Sequence, residues 1–239
     1  MNIALIGYGK MGKEIESIAK ERNHNISLII DINNSSDLNS ESLKNIDVAI
    51  EFTNANSAPN NYKICFNNNI PVVSGTTAIP NNVFSEIENQ AKTNKKAFFW
   101  ASNFSVGVNI TFELNKQLAK IMNQFKTYDV RMTEIHHTQK IDSPSGTAIT
   151  LAEEIIENID SKNTWINNSK AKKNEIEITS ERTGNVPGTH IVEYFNDIDT
   201  ITLKHEAHNR KGFALGAVLA AEFIANKTGL YNMSDLLNI

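Results

Sequence analysis

The sequence predicts an α/β protein in which a doubly wound parallel sheet of the Rossmann type is followed by a C-terminal α+β domain with a mixed or antiparallel sheet. Three observations support this fold class. Short apolar runs alternate with helical stretches up to about residue 104, a glycine-rich turn follows the first run, and alternating strand patterns appear later. The chain has 239 residues, enough for two modest hydrophobic cores.

The first part of the chain shows the strand and helix alternation of a parallel sheet. It begins with an apolar strand over residues 2–6, a glycine turn and apolar residues at helical spacing. Further short apolar runs follow at residues 26–30, 48–52, 71–73 and 97–100, with a clear helical stretch over 82–93. Strands of this kind indicate a sheet that is covered by helices on both faces.

The pattern changes after about residue 104. A longer helix over 110–122 precedes a half-buried strand near 128–132, a polar segment over 136–145 and a helix with buried positions from 149 to 156. Strand-like runs follow at 175–179, 190–195 and 200–205. The helix over 213–225 is apolar nearly all round, so we expect it to be buried against the first domain. The predicted domains are therefore residues 1–104 plus 213–239, which bind a dinucleotide, and residues 105–212.

The composition excludes several classes of partner. The chain has 23 Lys and Arg against 27 Asp and Glu, so it has no basic excess to neutralise nucleic acid. The N-terminus lacks the features of a signal peptide, and no apolar run reaches the roughly 18 residues that a membrane span needs. The single cysteine, Cys65, cannot form an internal disulfide. We therefore predict a cytoplasmic protein that binds neither nucleic acid nor membrane.

The first candidate site is the turn Gly7-Tyr8-Gly9-Lys10-Met11-Gly12, a G-x-G-x-x-G that follows a strand and opens a helix. Gly7 allows a tight turn, Gly9 lets backbone approach a pyrophosphate, and Gly12 allows the helix to pack closely on the strand. The helix start offers N–H groups and partial positive charge to the phosphates. Asp31 ends the second strand, where a carboxylate can accept hydrogen bonds from a ribose hydroxyl.

The cofactor is predicted to be NADH or NADPH. Asp31 is followed by Ile32-Asn33-Asn34, without an arginine to hold a 2′-phosphate, and this favours NADH. Lys10 lies at the mouth of the glycine turn and could reach a phosphate, so use of NADPH stays open. A solvated lysine is the alternative role for Lys10.

The second candidate site is the segment from Glu134 to Thr147, which carries His136, His137 and Lys140. Pro144 suits the first position of a helix, so the N–H groups that follow it should be unpaired and point outward. These groups belong to Ser145, Gly146 and Thr147. Such a helix start is an anion site that can bind a carboxylate, and Lys140 could hold a second carboxylate. The substrate is therefore predicted to be a small dicarboxylate.

Other interpretations of this segment are less favoured. Adjacent histidines on an extended segment point apart, and no Cys or carboxylate cluster completes a metal site, so no metal is predicted. Ser145 lacks the G-x-S-x-G elbow of a serine hydrolase. Two surface histidines and a solvated lysine remain the plain structural alternative.

Two further segments lie at predicted strand ends of the first domain, where ligands bind in open parallel sheets. They are Gly75-Thr76-Thr77 and the stretch that begins Ala101-Ser102-Asn103-Phe104. Ordinary polar turns are the alternative interpretation of both.

Taken together, these segments resemble the dihydrodipicolinate reductase family along nearly the whole chain. The signature His-His-x-x-Lys-x-Asp-x-Pro-Ser-Gly-Thr at 136–147 is the most specific part. The remaining matches are the glycine turn, Glu51-Phe52-Thr53, residues 75–77, residues 103–109 and His205-Glu206-Ala207 with Arg210. The family commonly has Asp where this chain has Glu51, and its glycine turn often carries an arginine where Lys10 stands.

The resemblance implies an activity and a role for each site residue. His136 would be the proton donor, Lys140 the second catalytic cation, and His137 with Gly146 and Thr147 the substrate-binding group. The dinucleotide contacts would be residues 7–12, Asp31, 75–77 and 101–104. The family also implies reduction of a cyclic imine dicarboxylate in lysine and diaminopimelate biosynthesis, and a homotetramer built through the second domain, which would bind substrate.

Two rival functions remain. A dinucleotide-binding sensor without chemistry would bind the cofactor but would leave the dense set of donors around His136 unexplained. The other rival is a different two-domain dehydrogenase, such as one that acts on a semialdehyde. The acylating kind needs a nucleophilic cysteine, whereas Cys65 lies in an apolar, helix-like stretch and looks structural.

Overall fold

The computed structural model describes residues 1–93 and 96–239. The chain forms two compact units, of which the first joins Met1–Val106 to Lys211–Ile239 and the second is Gly107–Arg210. The first unit contains a six-stranded sheet and the second a five-stranded sheet. The first sheet is parallel and the second is mixed, so the predicted fold class is confirmed.

The strands and helices are numbered in chain order. The strands are β1 (Asn2–Ile6), β2 (Asn25–Ile30), β3 (Val48–Glu51), β4 (Val72–Ser74), β5 (Ala97–Trp100), β6 (Asp129–His136), β7 (Thr164–Asn167), β8 (Glu175–Arg182), β9 (Gly188–Phe195), β10 (Thr200–Ala207) and β11 (Gly229–Tyr231). The helices are α1 (Lys10–Glu21), α2 (Ala58–Asn67), α3 (Asn81–Thr93), α4 (Val106–Met122), α5 (Gly146–Asn158), α6 (Lys211–Ile224) and α7 (Met233–Leu237). A short 3₁₀ helix spans Ile32–Asp37.

The sheet of the first unit has the strand order β11-β5-β4-β3-β1-β2, with parallel neighbours throughout. Its central strands are buried on both faces. Successive side chains point to opposite sides of the sheet and therefore enter different hydrophobic cores. In β3, Val48 and Ile50 join one hydrophobic core and Ala49 joins the other. Because the six strands are parallel, their carboxyl ends lie at the same edge of the sheet, where the glycine turn and the segment after β4 are found.

Helix α6 returns the chain to the first unit. Ala217, Val218 and Ala221 are fully buried in the same core as β1 and β3. A side chain at Gly216 would lie 1.8 Å from the carbonyl oxygen of Phe104, so only glycine allows this close approach. The short strand β11 was not predicted; its three residues add to the edge of the sheet beside β5.

The sheet of the second unit has the order β10-β9-β6-β8-β7. The central strand β6 pairs parallel with β8 and antiparallel with β9. Its period of two places Val130, Met132, Glu134 and His136 on the buried face. The apolar residues of this face form one core with residues of α4 and α5. The two polar side chains of this buried face, Glu134 and His136, thus lie at the end of a strand that α4 and α5 cover.

No helix within the described residues is both long enough and apolar enough to cross a membrane.

Candidate functional site

The glycine turn joins β1 to α1. Gly7 has φ +96°, and a Cβ there would lie 2.2 Å from the carbonyl oxygen of Phe52. A Cβ at Gly12 would lie 2.3 Å from the carbonyl oxygen of Gly7, so this glycine allows helix and strand to approach. A Cβ at Gly9 would meet no described atom within 4 Å. The backbone before α1 is therefore open to a ligand.

An open groove lies above this turn at the carboxyl ends of the strands. It is lined by residues 9–12, 52–55 and 75–78. Among the predicted dinucleotide contacts, Gly9 to Gly12 and Gly75 to Thr77 thus meet in one groove. Strand-end loops that converge on a helix start have the chemistry of a phosphate and nucleotide site.

Other predicted dinucleotide contacts lie outside the described lining of this groove. Asp31 is exposed directly after β2, and its N–H donates to Oδ1 of Asn34 at 2.7 Å. The hydroxyl of Tyr8 donates to Glu16, so its ring lies along α1. Ala101 and Phe104 are buried, whereas Ser102 is exposed and Asn103 is partly exposed. Phe104 packs in the core, so any contact from it to a ligand must come from its backbone.

A buried carboxylate connects two of the loops in the groove. Glu51 is 0% exposed, and its Oε2 accepts hydrogen bonds from the hydroxyls of Ser74 at 2.8 Å and Thr76 at 2.9 Å. Its Oε1 accepts from the backbone N–H of Thr53 at 3.0 Å. From the sequence alone Glu51 had no role of its own, since it was placed in a matching segment where the family commonly has Asp. The structure shows that it ties the loop after β3 to the loop after β4.

In the second unit, strand pairing collects the polar side chains of one site. Glu134 of β6 lies opposite His190 of β9, and His136 lies opposite Arg182 of β8. The rings of His136 and His190 are 5.1 Å apart, centroid to centroid. Sequence reasoning singled out His136 but missed His190 and Arg182, since their proximity depends on pairing between distant segments.

Glu134 is the centre of this cluster. Its Oε2 lies 2.6 Å from Nδ1 of His136, and its Oε1 accepts from Nη2 of Arg182 at 2.7 Å. The N–H of Ser145 also donates to Oε1, at 3.3 Å. Burial raises the pKa of Glu134, but the hydrogen bonds from His136 and Arg182 outweigh it and hold the pKa well below its ordinary value. Glu134 is therefore a carboxylate in the folded unit.

The start of α5 differs in detail from the prediction. Pro144 does not occupy the first helical position; it precedes the N-cap Ser145, and its peptide bond with Ser143 is cis. The Ser145 N–H does not point outward, because it donates to the buried Glu134. The Ser145 hydroxyl accepts from the N–H of Ala148 at 3.2 Å and caps the helix. The predicted outward N–H set is therefore wrong for Ser145.

The remaining predicted residues lie near this helix start. Gly146 is exposed, while His137, Lys140 and Thr147 are partly exposed. Nζ of Lys140 pairs with Asp142 at 2.8 Å. Burial raises the pKa of Asp142, but the hydrogen bond from Lys140 lowers it to below its ordinary value. The segment thus presents an ammonium group and a helix N-terminus beside the His136 cluster.

Potential metal ligands are closer together than the sequence indicated. Glu134, His136 and His190 each place a ligand-type atom within 4.8 Å of the others. Both oxygens of Glu134 are engaged, one by His136 and one by Arg182. A guanidinium bound to the same carboxylate opposes a divalent cation there. The grouping therefore fits a network of charges and hydrogen bonds better than a metal centre.

Two family models together cover nearly the whole chain. Residues 1–104 match the N-terminus of dihydrodipicolinate reductase, and residues 107–237 match its C-terminus. The chain belongs to the dihydrodipicolinate reductase family. The resemblance predicted from the sequence is confirmed.

Individual members of the dihydrodipicolinate reductase family resemble the chain over its full length. The 4-hydroxy-tetrahydrodipicolinate reductase of Christiangramia forsetii is 47% identical over 240 residues, which cover 100% of this chain and 98% of the relative. The enzyme of the same name from Thermosipho africanus is 36% identical, with 99% and 98% covered. The dipicolinate-bound dihydrodipicolinate reductase from Paenisporosarcina sp. TG-14 gives a TM-score of 0.80 at 25% identity and 97% coverage of both chains.

Cys65 has the environment of a core residue. It is fully buried, and burial together with the charge of Glu51 raises the pKa of its thiol to about 12. A thiol that stays protonated is a poor nucleophile. The environment of Cys65 therefore gives no support to the acylating dehydrogenase chemistry considered above.

His190 should make the second unit sensitive to acid. Burial, and after it the positive charge of His136, lower the pKa of His190 to about 3, against about 6.5 in an unfolded chain. The contribution of this group to stability is complete above about pH 6.5 and declines as the pH falls toward 3, since the unfolded chain then binds the proton more tightly. We expect a loss on the order of 2 kcal/mol at about pH 5.

Urea unfolding followed by Trp165 fluorescence can measure this loss. Trp165 packs against the core of the second unit, and Trp100→Phe removes the other tryptophan of the chain. Adding His190→Gln in that background should flatten the dependence of stability on pH between about 6.5 and 4. An equal dependence in both proteins would contradict the role of His190.

Proposed function

We propose that this chain catalyses the NAD(P)H-dependent reduction of 4-hydroxy-tetrahydrodipicolinate to tetrahydrodipicolinate, a step of lysine and diaminopimelate biosynthesis. The observation that carries the proposal is the 47% identity, over the full chain, to a protein named 4-hydroxy-tetrahydrodipicolinate reductase. In the balanced reaction the substrate takes up a hydride and a proton, and its 4-hydroxyl group leaves as water.

The groove of the first unit fits a nicotinamide dinucleotide. The open space at Gly9 and the start of α1 suit a pyrophosphate, and residues 75–77 border the same groove. We assign Gly7 to Gly12, Asp31, 75–77 and 101–104 to cofactor binding. The absence of an arginine after Asp31 favours NADH, and Lys10 is the candidate cation for a 2′-phosphate.

The second unit supplies the groups that act on the substrate. A bound dinucleotide would supply the hydride. His136 would donate a proton as negative charge develops on the ring, and Lys140 would neutralise charge beside it. His137, Ser145, Gly146 and Thr147 are assigned to the substrate carboxylates, with Ser145 acting through its position at the helix cap. The dipicolinate bound to the Paenisporosarcina enzyme supports a dicarboxylate ligand of this size.

A coupled assay tests the function directly. Pyruvate and aspartate semialdehyde are condensed enzymatically, and loss of reduced dinucleotide is followed with NADH and NADPH in separate reactions. We expect substrate-dependent oxidation with both dinucleotides, a higher kcat/KM with NADH, and no change on adding a chelator. Dinucleotide binding without substrate-dependent oxidation would instead support the sensor. The homotetramer and the cytoplasmic location stay predictions, the first of which sedimentation can test.

A further inference from the structure

Glu134 is a fully buried carboxylate without an assigned role in the reaction above. It lies where three elements meet, because it contacts His136 of β6, Arg182 of β8 and the cap of α5. Each of its oxygens lies within 2.7 Å of a nitrogen of a cationic or ionisable side chain. A carboxylate this close to Nδ1 influences both the protonation and the orientation of the His136 ring.

Stability alone is a weak explanation for this arrangement. Removing a carboxylate from water costs several kcal/mol, and apolar residues of similar volume often stabilise a core equally well. The same carboxylate has a specific effect on a histidine. When it contacts Nδ1, it keeps the proton on that nitrogen, stabilises the imidazolium and leaves Nε2 to exchange a proton.

The surroundings of Nε2 also favour this nitrogen as the one that exchanges a proton. A Cβ at Gly188 would lie 3.0 Å from Nε2 of His136 and 3.3 Å from its Cδ2. Glycine at this position keeps a methyl group away from the ring atom that would transfer the proton. The two edges of the imidazole therefore have different neighbours, since Nδ1 lies 2.6 Å from a carboxylate oxygen of Glu134 and the edge with Nε2 faces a residue without a side chain.

We infer that Glu134 is a positioning residue that fixes His136 with Nδ1 protonated and Nε2 as the proton donor, and that Gly188 leaves space for this donor. The inference rests on the proposed function in that the proton from His136 serves the reduction. Its structural part, the protonation state of the ring, can be measured without turnover.

Other ionisable groups lie around the pair formed by Glu134 and His136. Arg182 of β8 contacts Glu134, and the ring of His190 of β9 lies 5.1 Å from the His136 ring, while the charge of Lys140 in the loop after β6 helps to lower the pKa of His190. His205 of β10 lies opposite His190, and burial lowers its pKa. Glu134 is the carboxylate in direct contact with the ring, so its removal should change the titration of His136 most.

The central experiment replaces Glu134 by the neutral amide, Glu134→Gln. We expect kcat to fall about 30-fold, the scale of losing a partner that orients a reactive group, with a smaller change in the KM for dinucleotide. The high-pH limb of the kcat/KM profile should move to lower pH, since His136 loses the charge that favours its imidazolium. Nuclear magnetic resonance of ring-labelled histidine should show a lower pKa for His136 and a shift of its neutral form from Nδ1–H toward Nε2–H.

Matched variants separate positioning from folding. Glu154→Gln removes another buried carboxylate of the second unit, which is bound by Asn115 and Lys116, and should leave the His136 titration and kcat unchanged. Glu134→Asp retains the charge and should restore most of the His136 pKa. If Glu134→Gln does not fold, the titration in Glu134→Asp and in Gly188→Ala, whose methyl group should displace the ring, still tests the inference.

The outcomes are distinct. A His136 pKa and tautomer that stay the same in folded Glu134→Gln would overturn the inference, whatever happens to activity. The unaltered protein could lack reductase activity while Glu134→Gln still shifts the titration of His136. This result would support the positioning role of Glu134 and would contradict only the proposed function.

Discussion

Replacing His136 by glutamine is expected to lower kcat on the order of 100-fold, the contribution of one general acid. Glutamine has nearly the size of histidine and retains an N–H, but it cannot release a proton at neutral pH. Because His136 is buried at the end of β6, thermal unfolding of the variant is measured beside its activity to show that the unit folds. Steady-state kinetics with saturating dinucleotide and substrate measure the effect.

The control for this variant is His208→Gln, which alters an exposed histidine of the same unit and should leave kcat within about twofold. The KM for dinucleotide should change little in His136→Gln, because this residue belongs to the second unit. Turnover equal to that of the unaltered enzyme would remove His136 from the role of proton donor.

The glycine turn should give the second large effect, and it separates folding from cofactor binding. Gly7→Ala places a Cβ 2.2 Å from the Phe52 carbonyl oxygen at a φ of +96°. We expect the first unit to lose on the order of 3 kcal/mol or more, since both backbone and packing become strained. Thermal unfolding with a probe in the first unit, such as Trp100 in a Trp165→Phe background, measures the loss.

Gly9→Ala is the matched variant for cofactor binding. Its Cβ meets no described atom within 4 Å, and its φ of −78° suits alanine, so folding should be unaffected. The methyl group would instead project where the dinucleotide phosphates approach. We expect the Kd for NADH to rise roughly 10-fold or more, by about 1.4 kcal/mol. Fluorescence titration with NADH tests this, and an unchanged Kd would place the phosphates elsewhere.

Much of the first unit could be predicted because its signals are local. Apolar runs such as 2–6 and 48–52 lie close to the observed strands. The glycine turn was predictable because close backbone approach at Gly7 and Gly12 leaves no space for a Cβ. The short strand β11 was missed, since its three residues, Gly229 to Tyr231, are too few to show a period. Its place in the sheet is decided by pairing with β5.

The candidate site of the second unit was predicted only in part. His136 and Lys140 belong to a continuous motif, whereas His190 and Arg182 reach Glu134 through pairing with β9 and β8. A pattern along the chain cannot reveal such pairing. The outward N–H expected at Ser145 was wrong for a different reason, because the N–H donates to Glu134, which lies 11 residues earlier in the same segment.

The late position of α6 in the chain has a consequence for synthesis on the ribosome. The residues that complete the first core, among them Ala217 and Ala221, are translated after the whole of Gly107–Arg210. The contiguous second unit can complete its sheet during translation, while the nascent first unit still exposes the apolar surface that α6 later covers. We expect this incomplete intermediate to be prone to aggregation until α6 leaves the exit tunnel.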